Sequence, residues 1–78
     1  MKIATVIGKL EPRRNAPGLE DARWIQLRIG KQMMVAADPV GAEPGQLVLV
    51  ATGAAAGHYR MDLCTDALVV AVLEDNNG

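Results

Sequence analysis

Phenylalanine is absent from this 78-residue chain, and Trp24 and Tyr59 are its only aromatic residues. Single-stranded nucleic acid is held on aromatic platforms beside a basic groove, so two aromatics make a poor platform. Charge points the same way. Eight Lys and Arg stand against nine Asp and Glu, a net −1 with the one His neutral, and such a balance offers no phosphate-binding stripe. A nucleic-acid partner is therefore not expected. Cysteine and histidine occur once each. Cys64 has no partner for an internal disulfide, which agrees with a reducing compartment. His58, Cys64 and Asp66 give an H-x5-C-x-D spacing that matches no tetrahedral zinc pattern and supplies too few nitrogen and sulfur ligands. No metal or other cofactor is expected. The Cys64 and His58 pair lacks a third orienting group and an oxyanion hole, so no catalytic residue is assigned and the chain is not expected to be an enzyme. Long apolar runs are missing near the N-terminus: Ile3 to Ile7 is interrupted by Thr5 and stopped by Gly8-Lys9, far short of a signal-peptide core or a membrane span. A cytoplasmic protein without a membrane partner is expected.

What the chain does have is aliphatic surface. Half of its residues are hydrophobic, at a mean hydropathy of +0.13. A chain this small hides only roughly 60% of its unfolded surface on folding, and a lone core of that size barely offsets the entropy of ordering the chain. Disulfides, a structural metal or partner subunits are the usual remedies. The first two are excluded by the single Cys and His, which leaves self-association.

Short strands account for most of the sequence. Residues 2 to 10 put Ile3, Thr5 and Ile7 on one strand face and Ala4, Val6 and Leu10 on the other. Residues 11 to 22, with Pro12, Arg13-Arg14-Asn15 and Pro17-Gly18, read as an exposed loop. From 23 to 29, Ile25, Leu27 and Ile29 alternate with Trp24, Gln26 and Arg28, the pattern of a half-buried antiparallel strand. Gly30-Lys31 fits the two-residue type II′ turn of a hairpin, and the returning strand is Gln32 to Ala37. Two Pro and two Gly between Asp38 and Gly45 fix a turned connection. Gln46 to Thr52 and Asp66 to Glu74 are apolar on both faces and too short for helices. Gly53-Ala54-Ala55-Ala56 accommodates one short helical turn before Gly57. The expected fold is all-β, one domain over residues 1 to 78, a small closed barrel of five strands with one short helical turn. Its doubly apolar strands need a second surface to cover them, which is an independent argument for a homo-oligomer.

Residues 35 to 49, Val35-Ala36-Ala37-Asp38-Pro39-Val40-Gly41-Ala42-Glu43-Pro44-Gly45-Gln46-Leu47-Val48-Leu49, resemble the motif V-A-x-D-x-[VI]-G-A-x-x-G-x-x-V-L of the EutN/CcmL family of bacterial microcompartment vertex proteins. Met1 to Gly8 is similar to that family's opening strand, and Gly18-Leu19-Glu20 falls where its S-L-x-G loop lies. Gly53 to Ala56 resembles its G-S-S-A segment, and Asp66 to Glu74 its closing strand. The resemblance implies an OB-like barrel that assembles as a homopentamer, closes the corners of a carboxysome or metabolosome shell against hexameric shell proteins, and carries no catalytic residue. Three departures bear on contacts. The second and third strands are joined by Gly30-Lys31 alone, where relatives often carry an insertion. Gly57 stands where an arginine often follows the small-residue segment, and Ala71 replaces a glycine of the last strand.

Candidate contact residues follow from both lines. Arg13 and Arg14 either meet acidic edges of neighbouring shell proteins or form an ordinary solvated pair. Asp38 closes the turn after it by accepting backbone N–H bonds, or is a titrating group or a subunit contact. Asp66, ahead of the last strand, is a backbone acceptor or an inter-subunit partner. Trp24 is an interface anchor or a lid over the barrel end. Gly53, Ala54, Ala55 and Ala56 are either small enough to approach a five-fold axis or an ordinary helix start packed on the barrel. The alternative function is a small OB module binding nucleic acid or a ligand, which would need a stacking and cationic strand face that this sequence does not supply.

Overall fold

The computed structural model describes residues 1–53, 56 and 66–74. Five strands form a closed barrel: β1 (Lys2–Leu10), β2 (Trp24–Ile29), β3 (Gln32–Ala37), β4 (Leu47–Thr52) and β5 (Ala67–Leu73), in the order β1-β2-β3-β5-β4. Every neighbouring pair is antiparallel except β3 and β5, which run parallel and meet at the single bridge Ala37↔Leu68. Closure removes the sheet edges that would template aggregation, and the β3–β5 seam is its narrowest point. The hairpin forms at Gly30-Lys31 as expected. Gly30 has φ +59 and Lys31 does not enter the positive-φ region, the combination that separates a type II′ turn from a type I′ turn.

Alternation fills the barrel. Ala4, Val6, Ile25, Leu27, Ala36, Val48, Val50, Ala67 and Val69 point inward and form one buried cluster, with Ile29 and Met34 packed at its edge. A second cluster sits on the outside of the wall, because Ala37, Ala51 and Leu68 each follow or precede an inward residue by one position. Ala56, with no exposed surface, packs over them, and Trp24 and Val70 close the flank. Part of the outer apolar face is therefore covered by the chain itself. Only the remainder stays open.

Two single-residue bulges set which residues form that remainder. In β1, Val6 pairs with Leu27 and Gly8 with Gln26, so Ile7 is the extra residue. In β5, Ala71 pairs with Leu49 and Val69 with Val50, so Val70 is the extra residue. A bulge bends its strand and steps the side-chain phase. Beyond Val70 the register puts Ala71 and Leu73 in the outward rows, paired with Leu49 and Leu47, while Val72 takes the inward phase beside the buried Val48 near the end of the strand and is itself 37% exposed. The helical turn expected near residue 54 falls largely outside the described residues. Within them, the Ala56 N–H donates to the Gly53 carbonyl at 3.2 Å.

Candidate functional site

The turn between β3 and β4 is built around Asp38, whose side chain has no exposed surface. Its Oδ1 accepts the N–H groups of Val40 and Gly41, both at 3.0 Å, and its Oδ2 accepts that of Ala42 at 2.7 Å. The fourth donor is Nε of Arg23, 3.1 Å from Oδ2. The same guanidinium donates through Nη2 to the Ala42 carbonyl at 2.9 Å. Four donors occupy the lone pairs of one carboxylate, so Asp38 is a turn organiser whose bonding capacity is used within the chain. Arg23 is the residue that sequence reasoning missed. Its signal is the hairpin register: one rung beyond Trp24↔Ala37 places it opposite Asp38, and the Asp38 N–H donates to its carbonyl at 2.7 Å. A second turn then delivers the chain to β4. In Glu43-Pro44-Gly45-Gln46 the Gln46 N–H reaches the Glu43 carbonyl at 3.2 Å, with Gly45 at φ +88 in the third position that a type II turn reserves for glycine. The Gly45 N–H and the Gln46 carbonyl then bond Val6 of β1 at 2.8 and 2.9 Å, tying the turn to the barrel.

Outside the barrel two apolar surfaces remain open. On β2 and β3, Met33 and Val35 are 49% and 51% exposed, paired across the hairpin with Arg28 and Gln26. On β1, β4 and β5, the row Ile3–Leu49–Ala71 and the row Thr5–Leu47–Leu73 run side by side, with Ile3 59% exposed and the other five half-buried. These exposed residues were not singled out from the sequence, although the doubly apolar runs that became β4 and β5 announced the second surface.

The other candidates are dispersed. Arg13 and Arg14 are exposed in the loop after β1 and line a shallow open depression together. Trp24 is half-buried against the outer cluster, where it acts as a cover within its own chain. The exposed Asp66 uses its carbonyl to accept the Gly53 N–H at 2.7 Å. Gly53 is exposed at the end of β4, with φ +60, whereas the Ala56 methyl group is spent in the outer cluster. Ala54, Ala55, His58 and Cys64 lie outside the described residues. Among the described residues no group of His, Cys, Asp and Glu is placed to hold a metal, and no helix is long and apolar enough to cross a membrane.

The sequence profile described as "Ethanolamine utilisation protein EutN/carboxysome" matches residues 1–74. The chain belongs to the EutN/CcmL family. Solved structures agree in fold over nearly the whole length. The CcmL of Nostoc sp. PCC 7120 is similar at 29% identity and a TM-score of 0.84, covering 99% of this chain and 93% of that one. CsoS4B of Halothiobacillus neapolitanus is similar at 25% identity and a TM-score of 0.82, with 95% and 100% covered. The pentameric shell protein MSM0273 of the RMM microcompartment is similar at 26% identity and a TM-score of 0.83, with 100% and 99% covered. Among curated proteins none matches. The EutN/CcmL motif of residues 35 to 49 thereby acquires a physical role in this chain. Its Asp38 ties down the turn, its Gly41 and Gly45 supply the positive φ, and its Ala42 is buried against the barrel core.

Proposed function

We propose that this chain is a structural subunit that assembles as a homopentamer and closes the vertices of a bacterial microcompartment shell, where it contacts hexameric shell proteins. The observation that carries the reading is the pair of open apolar surfaces on a EutN/CcmL barrel, at Met33 and Val35 and at Ile3 and Leu49. A monomer leaving both in water forfeits burial that a chain of this size needs. Likeness to a carboxysome subunit, CcmL, and to the pentameric shell protein MSM0273 of the RMM microcompartment supports the same assignment. The role is architectural and not enzymatic, and the shell lies in the cytoplasm. An OB module binding nucleic acid or a small ligand is disfavoured, since the outer strand faces are aliphatic where such binders carry stacked aromatics.

Gly53, Ala54 and Ala55 are proposed to approach the five-fold axis, as the exposed Gly53 at the end of β4 supports, while the buried Ala56 packs on the barrel wall instead. An opening walled by backbone and methyl groups offers a charged metabolite nothing to replace its water, so the vertex acts as a plug. Ala55→Trp then blocks or distorts the pentamer, and normal pentamers from that variant refute the placement.

The test of function is co-expression with hexameric shell proteins. Closed polyhedral shells are expected by electron microscopy only when the chain is present. Equally closed shells without it contradict the proposal.

A further inference from the structure

The geometry points to a head-to-tail contact in which the β2–β3 outer face of one copy packs on the β1–β4–β5 outer face of the next. This rests on the vertex reading and says which surfaces hold the ring. The two faces are unlike each other. The first projects Met33 and Val35 with Arg28 beside them, and neither strand carries a carboxylate. Lys31 sits in its hairpin turn. The second projects Ile3, Leu47, Leu49, Ala71 and Leu73; β4 and β5 contain no charged residue, and Asp66 and Glu74 bracket β5 at its two ends. The two lysines of β1 pair in register with residues of the inner cluster rather than the outer rows, Lys2 with Val50 and Lys9 with Ile25, and Lys9 is already bridged to Glu11. Arg28 and Glu74 are both exposed, and among the described residues neither forms an ion pair.

A face that is aliphatic with basic flanks is a poor partner for itself, since like charges meet in a two-fold contact, and a good partner for an aliphatic face with acidic flanks. Two unlike faces on one chain generate a heterologous contact, which closes into a ring when the rotation permits. The third apolar region of the outer wall, around Ala37, Ala51 and Leu68, is already covered by Ala56 and takes no part. Surface area permits the arrangement, because two standard contacts take about 800 Å² each from a chain exposing 5350 Å².

The experiment uses two variants, each damaging one face at a position already exposed, so that folding is retained and is checked by circular dichroism. Val35→Asp blocks the first face and Ile3→Asp the second. Native mass spectrometry of the unaltered chain is expected at about five times 8.3 kDa, and each variant alone at one chain mass. Mixed together, the two variants still hold one intact face each and are expected to form a heterodimer that grows no further. Arg28→Glu weakens the ring at least tenfold in midpoint concentration, and adding Glu74→Arg restores it to within about threefold. An unaltered chain that is monomeric overturns the vertex reading together with this one. A pentameric unaltered chain whose Val35→Asp or Ile3→Asp variant remains pentameric, or whose mixed variants fail to pair, overturns only the face assignment. A double charge variant weaker than Arg28→Glu alone overturns the Arg28–Glu74 pairing.

Discussion

Replacing Asp38 by Ala is the sharpest test of how the turn is held. The substitution removes four acceptor contacts at once, yet they differ in cost. Val40 and Gly41 are exposed, so water takes over their N–H groups at little penalty. Ala42 is buried, at 1% exposure, and a buried N–H left without an acceptor costs about 2 kcal/mol. Arg23 loses a charge-assisted bond, but its side chain is 32% exposed, and solvent screening discounts that loss to about 1 kcal/mol. The sum of about 3 kcal/mol is a large share of the stability of a small domain, where 5 to 15 kcal/mol is the usual range. Urea unfolding at fixed protein concentration, which matters for a chain that self-associates, reads it as a midpoint lowered by roughly 2 to 3 M with the slope unchanged. Asp38→Asn retains one acceptor oxygen and turns an amide N–H₂ toward a donor, so it falls between, at about 1 to 2 kcal/mol. Arg23→Ala costs less than Asp38→Ala, because the carboxylate keeps three backbone donors. A midpoint for Asp38→Ala within 0.3 M of the unaltered chain, or an Arg23→Ala variant less stable than it, refutes the reasoning.

Two further substitutions probe the barrel and its connections. Leu27→Ala empties a fully buried site in the inner cluster and is expected to cost about 2 to 5 kcal/mol by urea unfolding, whereas Ile3→Ala, at an exposed position, leaves the stability of a dilute monomer nearly unchanged. Gly45→Ala forces a Cβ into φ +88, and although no neighbour crowds that Cβ, the left-handed backbone alone costs about 1 to 2 kcal/mol. Amide exchange should quicken at Gln46 and Val6, whose bonds span that turn.

The hairpin was the most legible part of the fold. Clean alternation in residues 23 to 29 and a turn of two residues mark both its strands, the first of them one residue longer than the observed β2 (Trp24–Ile29), and the register they imply sets Arg23 opposite Asp38. The Asp38 turn was legible because an Asx residue followed by Pro and Gly has few other uses. β4 and β5 are each slightly shorter than the apolar runs suggest, since Gln46 closes the turn before β4, Asp66 lies in a bend before β5 and Glu74 follows its end. The facing of Val70 and Val72 was not legible. A run that is apolar on both sides carries no phase, and the bulge at Val70 that decides it leaves no mark in such a run. Cover by Ala56 was hidden for a related reason: an alanine in a small-residue segment gives no sign of what it packs on. Sequence therefore overstated how much outer surface must be covered by partners, while the surfaces at Met33, Val35 and Ile3 sustain the argument for them.

The central claim is that this barrel is complete only as a ring of five. Native mass spectrometry of the purified chain across micromolar concentrations tests it most directly. One dominant species at about five times 8.3 kDa is expected, dissociating to single chains on dilution. A stable, folded monomer throughout that range, or a closed dimer, contradicts it.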